Sequence, residues 1–166
     1  MKKKALWAFA LAVSGLTVYV GNVLATPPSG FTGTTIAKGR FGDLNAHVQS
    51  KPAHWKAMLK TKGLTDLYVQ SNVWAAGGTT GWHTHPGPSL VVVTAGAVTV
   101  YDGDDPSCAP HVYSASGENS FVDVGGGDVH MISNDSPAEA RTTAVQLVPA
   151  DAVRRIDASA PANCSG

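Results

Sequence analysis

Apolar and polar residues alternate in short runs along most of this chain. Leu67 to Trp74, Leu90 to Thr94, Ala97 to Tyr101, Ser120 to Val124, Val129 to Ser133 and Arg141 to Val148 are rich in Val, Thr and aromatic residues. Gly, Asp, Asn and Pro separate them. Period-two alternation bounded by turn formers predicts β-strands. Thr34 to Phe41 reads as an earlier strand. Trp55 to Lys62 fits two patterns. Trp55, Ala57 and Leu59 alternate with Lys56 and Lys60, as in a strand, while Trp55, Met58, Leu59 and Lys62 share a helical face closed by Gly63. The strand reading agrees with the β-like sequence that follows. Asp102-Gly103 and Gly125-Gly126-Gly127 mark tight turns. No repeat or heptad occurs. Many short, evenly spaced strands predict an all-β sandwich or closed barrel.

The ends read differently. Lys2, Lys3 and Lys4 precede an apolar run from Ala5 to Val20, and Val23-Leu24-Ala25 places small residues before Thr26-Pro27-Pro28. This reads as a signal peptide over residues 1–25, cleaved after Ala25, which predicts a secreted or periplasmic protein. An uncut N-terminal membrane anchor is the alternative, since Ala5 to Ala25 can just span a bilayer. Residues 26–33 read as a linker, 34–150 as one barrel domain and 151–166 as a C-terminal tail. The chain suffices for a single core.

Charge narrows the partners. Lys and Arg together equal Asp and Glu at 12 each. Three of the lysines belong to the signal, so the mature chain is mildly acidic. No Lys or Arg occurs from Gly63 to Ala140, where Asp66, Asp102, Asp104, Asp105 and further acids lie. Nucleic-acid binding needs a basic stripe, and the barrel segment has none. The lysines from Lys51 to Lys62 read as a solvated face. The expected partner is a small molecule, with no membrane contact beyond the signal segment; a homodimer stays open. Cys108 and Cys164 are the two cysteines. In an oxidising compartment they predict a disulfide tying the tail to the loop after Asp105. Two free thiols are the alternative, and neither has metal-binding Cys-x-x-Cys spacing.

The candidate chemistry is histidine chemistry. His83 and His85 lie two apart, on one face of an extended segment. His130 follows far along the chain in Gly-Gly-Gly-Asp-Val-His. Three imidazoles suit a divalent transition metal, whether Zn, Mn, Fe, Cu or Ni. A site with only three protein ligands leaves a face open to ligand, as catalytic sites do. Hydrogen-bonded interior histidines are the alternative.

These segments resemble the two motifs of the cupin superfamily. Gly77, His83, His85 and Gly96 fall in step with the first motif, and Gly127, His130 and Asn134 with the second. The chain departs from the pattern where Ser89 fills the Glu slot, where Gly125 fills the Pro slot, and where Gly117 stands two residues early. The resemblance implies a double-stranded β-helix, or jelly-roll barrel, with its site inside. It implies His83, His85 and His130 as metal ligands. Ser89 is a neutral, poor ligand, so such a centre keeps more positive charge and favours anionic or bidentate oxygen ligands. Ser89 either hydrogen-bonds within the site or simply opens its strand.

Other residues complete the expectation. Trp82 either walls the pocket or packs in the core. Gln146, Gln70 and Asn72 orient a substrate if they point inward and face solvent if they do not. Glu118 and Asp123 are the nearby carboxylates able to replace the missing acid or act as general base, although neither sits in a family ligand slot. Asn134 reads as a turn cap. His111 beside the Asp102–Asp105 loop reads as part of a hairpin turn, and His47 and His54 receive no role. The functional expectation is an exported metalloenzyme, oxygenase- or isomerase-like, acting on a small oxygen-rich molecule. The alternative is a non-catalytic module binding a small ligand or a metal.

Overall fold

A computed structural model describes residues 25–51 and 54–164. The expected signal peptide and its cut fall almost wholly outside them. The strands are β1 (Ser29–Phe41), β2 (Asn45–Gln49), β3 (Lys56–Lys60), β4 (Thr65–Thr79), β5 (His83–Thr84), β6 (Ser89–Ala95), β7 (Ala97–Asp102), β8 (His111–Ser114), β9 (Ser120–Asp123), β10 (His130–Ser133), β11 (Ala140–Pro149) and β12 (Ile156–Asp157). A 3-10 turn, Ala162–Cys164, follows. The described residues are nearly all β, as the alternation predicts.

Strands β2 and β3 form a separate hairpin. The other ten build one antiparallel sheet that curls into a nearly closed jelly-roll barrel. Its path runs β12-β5-β10-β4-β11-β6-β9; β1 adds to β4, and β7 joins β10 to β8. The period-two pattern places one face of each strand inside. On β6, Ser89, Val91 and Val93 are buried while Leu90 and Val92 face out. On β11, Ala140, Thr142, Ala144, Gln146 and Val148 turn inward.

The core lies at one end of the barrel. Trp74, Val93, Val98, Ile132 and Ala140 form it, with Phe31, Val100, Tyr113 and Phe121 against it. Full burial of one such aliphatic side chain contributes roughly 1.5–3 kcal/mol relative to exposure. Gly96 turns β6 into β7 with φ 66°, and a Cβ there would lie 2.8 Å from the Glu139 carbonyl oxygen. Both the left-handed backbone and the close approach demand glycine. Asn134 is wholly buried. Its Nδ2 donates to the carbonyls of Trp74, Ala75 and Ala138, and its Oδ1 accepts from Ser136, so it locks the turn after β10.

Two boundaries differ from expectation. Strand β1 starts at Ser29, inside the stretch read as a linker. There Phe31 pairs with Trp74 across β4, and their rings lie 4.9 Å apart. Its Gly- and Thr-rich sequence reads as loop only because its partner strand is far along the chain. The tail after residue 150 carries β12, which pairs with β5. Cys108 and Cys164 are joined, with Cα atoms 5.4 Å apart, and the bridge fastens that tail to the loop after β7.

Candidate metal centre

Antiparallel pairing of β5 with β10 sets His83 directly opposite His130. His85 follows two residues after His83 and returns to the same side. The three rings face one another, with centroids 4.4 Å apart for His83 and His130, 4.9 Å for His83 and His85, and 5.4 Å for His85 and His130. One nitrogen from each lies within 4.8 Å of the others. Among the described residues this is the histidine group able to hold a metal ion.

The backbone fixes two of the rings. His83 Nδ1 lies 2.9 Å from the Gly81 carbonyl oxygen, and His85 Nδ1 lies 2.6 Å from that of Arg154. A carbonyl oxygen only accepts, so each Nδ1 carries the proton and each Nε2 keeps its lone pair for a metal. Burial keeps two of the rings, His83 and His130, neutral. His83 is held far below the ordinary imidazole range, at about 2, first by desolvation and then by unfavourable electrostatics against His130 and Arg155. His130 is also pushed down, mainly by burial, with Asp123 pulling the other way. Neutral imidazole is the form that ligates.

Asp123, on β9, stands beside the rings. Its Oδ2 lies 3.5 Å from His85 Nε2 and its Oδ1 3.6 Å from His130 Nδ1. Oδ1 accepts from Gly125 N–H at 2.9 Å, while the buried Oδ2 has no hydrogen-bond partner among the described residues. Ser89 faces Asp123 across β6 and β9. Its hydroxyl accepts from Gln146 Nε2 at 3.2 Å. Three ring nitrogens converge beside one unpartnered carboxylate oxygen. That donor set suits a divalent transition metal.

The histidines open onto a cavity of about 260 Å³. Phe31, Val91, Phe121 and Ile132 give it an apolar wall, and Gln70, Asn72, Thr142 and Gln146 a polar one. Gln146, Gln70 and Asn72 therefore point inward. Trp82 is buried but absent from the lining, so it does not wall the pocket, and it lies outside the core cluster as well. Its neighbour His83 takes the inward side of the extended segment, which turns Trp82 away. Glu118 lies in the β8–β9 turn, away from the cavity, where its carbonyl accepts from Ser114.

Among the cavity residues that carry no role in the sequence reading, two are charged. Arg154 and Arg155 reach it from the segment between β11 and β12. Arg155 Nε donates to Asp157 and its Nη2 to the Thr80 carbonyl, both at 2.6 Å. Arg154 donates to Gln70 Oε1 at 3.0 Å and lies 4.3 Å from the Tyr68 ring centroid. Their signal in the sequence is charge segregation. After a stretch from Gly63 to Ala140 without Lys or Arg, Arg141 is followed by the adjacent pair Arg154-Arg155.

No protein-family model matches the chain, and no curated protein matches it. Solved structures do. A conserved protein of unknown function from Streptococcus pyogenes is 16% identical at a TM-score of 0.41, over 50% of this chain and 65% of its own. An oxalate oxidase is 23% identical at a TM-score of 0.41, over 51% of this chain. A cupin superfamily protein from Desulfitobacterium hafniense is 11% identical at a TM-score of 0.46, over 75% of this chain and 84% of its own. The chain spans about half, 46%, of the oxalate oxidase.

Proposed function

We propose that this protein is an exported, metal-dependent enzyme of the jelly-roll kind, oxygenase- or isomerase-like, acting on a small oxygen-rich anion. The observation that carries this reading is the convergence of His83, His85 and His130 on a cavity that Arg154 and Arg155 also line. A divalent transition metal held by the three imidazoles supplies Lewis acidity or, for a redox-active metal, electron transfer. The chain's own residues do the remainder. Arg155 is braced by Asp157 and Thr80, which aims its guanidinium, and a planar guanidinium suits a carboxylate. Arg154, held by Gln70 and Tyr68, adds a second positive charge. Gln146 offers a buried Oε1 without a partner among the described residues, an acceptor for a ligand hydroxyl. The apolar wall excludes water, which strengthens each of these contacts. The cavity volume suits a molecule smaller than a typical drug.

Export rests on the Lys-led apolar N-terminus and on the Cys108–Cys164 bridge, which belongs to an oxidising compartment. Among the described residues no helix is long and apolar enough to cross a membrane.

One observation favours the binding-module alternative. Asp123 is the one carboxylate among the residues lining the cavity, so general-base capacity is small. A single experiment separates the two readings. Protein loaded with zinc, manganese or iron is incubated with a panel of hydroxy-, oxo- and dicarboxylates and followed by mass spectrometry and calorimetry. The enzyme reading expects conversion that His130→Ala abolishes, and binding that Arg155→Ala weakens about tenfold, near 1.4 kcal/mol. Tight binding without conversion contradicts it and supports the module.

A further inference from the structure

The acid slot of the histidine segment holds Ser89, yet the site is not without a carboxylate. We infer that Asp123 is the fourth metal ligand, supplied from the neighbouring strand β9 instead of from the motif itself. This rests on the metal reading above.

Four observations carry it. Ser89 and Asp123 are direct partners across β6 and β9, so a carboxylate at 123 reaches the same part of the barrel as one at 89. The Asp123 side chain is only 7% exposed. Its Oδ2 is buried with no hydrogen-bond donor among the described residues, and a buried carboxylate oxygen left so is costly. Finally, Oδ2 stands 3.5 Å from His85 Nε2. Two ligand atoms at bonds of about 2.0–2.2 Å around a tetrahedral metal lie roughly 3.3–3.6 Å apart. The spacing fits co-ligation, and it is longer than a charge-assisted hydrogen bond.

The placement has a reason in the backbone. Gly125 N–H holds Asp123 Oδ1 at 2.9 Å, in a turn that starts two residues later. Gly125 has φ 66°, and a Cβ there would collide with the Gly87 carbonyl. The glycine in the family's Pro slot thus lets the backbone turn tightly and hold the aspartate. Ser89, being small, leaves the carboxylate its space and donates nothing to the metal.

Cobalt(II) titration of wild type, Asp123→Asn, Asp123→Cys and His83→Ala tests this, with zinc affinity measured by chelator competition. The expected result has three parts. Asp123→Asn binds zinc at least a hundredfold more weakly and shows a changed cobalt ligand-field spectrum. Asp123→Cys gains a sulfur-to-cobalt charge-transfer band. Ser89→Glu placed on Asp123→Asn recovers most of the affinity. If Asp123→Asn keeps the wild-type cobalt spectrum and Asp123→Cys shows no charge-transfer band, while His83→Ala loses the metal, Asp123 merely orients the histidines and the inference falls alone. If wild type binds neither cobalt nor zinc, the inference falls together with the metal reading.

Discussion

Each histidine at the site is defined by what holds its second nitrogen and by how little water reaches it. His83 is only 4% exposed, and burial, more than any charge, drives its pKa down to about 2. The sign of the resulting pH dependence follows. In the unfolded chain His83 takes up a proton near pH 6.5, whereas in the fold it does so only near about 2. Between those values the unfolded state binds more protons, so stability rises with pH. One such group contributes about 1.4 kcal/mol per pH unit below 6.5. Metal-free protein should therefore lose about 2 kcal/mol between pH 6.5 and 5 from His83 alone, and His130 is shifted the same way. Urea denaturation of metal-free protein at several pH values checks this; flat stability across that range would mean the histidines are solvated. The histidines were legible because spacing alone marks two residues of one strand face. Asp123 was legible as a nearby acid and not as a neighbour of the rings, since strand register across β6 and β9 is not written in either strand. Trp82 shows the same limit: its sequence neighbour is a candidate ligand, yet the pleat turns it away from the cavity.

At the scale of elements, the tail after β11 does more than end the chain. Arg40 holds Asp66 through two hydrogen bonds of 2.6 and 2.9 Å, and Asp66 Oδ2 accepts from Asp151 N–H. The Arg40 guanidinium keeps the wholly buried Asp66 carboxyl well below the usual carboxylate range. From that anchor the chain delivers the Arg154 carbonyl to His85 and the β12 strand to His83, before Cys164 meets Cys108. Cysteine pairing was legible from count and compartment. The pairing of two-residue β5 with two-residue β12 was not, because two residues carry no period to read, and β8 was missed as well. Restricting a loop of this sequence separation, 56 residues, stabilises the fold by about 4 kcal/mol in the chain-entropy model. Reduction should lower the melting temperature and weaken metal binding together, since freeing the tail loosens the backbone that turns His83 and His85. Calorimetry and metal titration under reducing and oxidising conditions check both. A lower melting temperature with unchanged metal affinity would confine the tail to a stabilising role.

At the scale of the molecule, the barrel was legible because most of its long strands carry an uninterrupted alternation and its turns carry glycine, Asp-Gly or Asn. Its first strand was misjudged where apolar residues thin out, from Ser29 to Gly33. The β2–β3 hairpin was half foreseen through Trp55 to Lys62. The closed sheet then explains why distant histidines meet: β10 lies between β5 and β4, which brings residue 130 to residue 83. The central claim is that this convergence holds a metal ion. Elemental analysis of protein purified from its native compartment tests it most directly, run beside His83→Ala, His85→Ala, His130→Ala and the control His47→Ala. The account predicts about one transition-metal ion per chain in wild type and in the control, and a near-complete loss in each of the three site variants, all still folded by circular dichroism. Wild-type protein that carries no transition metal, and takes none up when offered several, would contradict it.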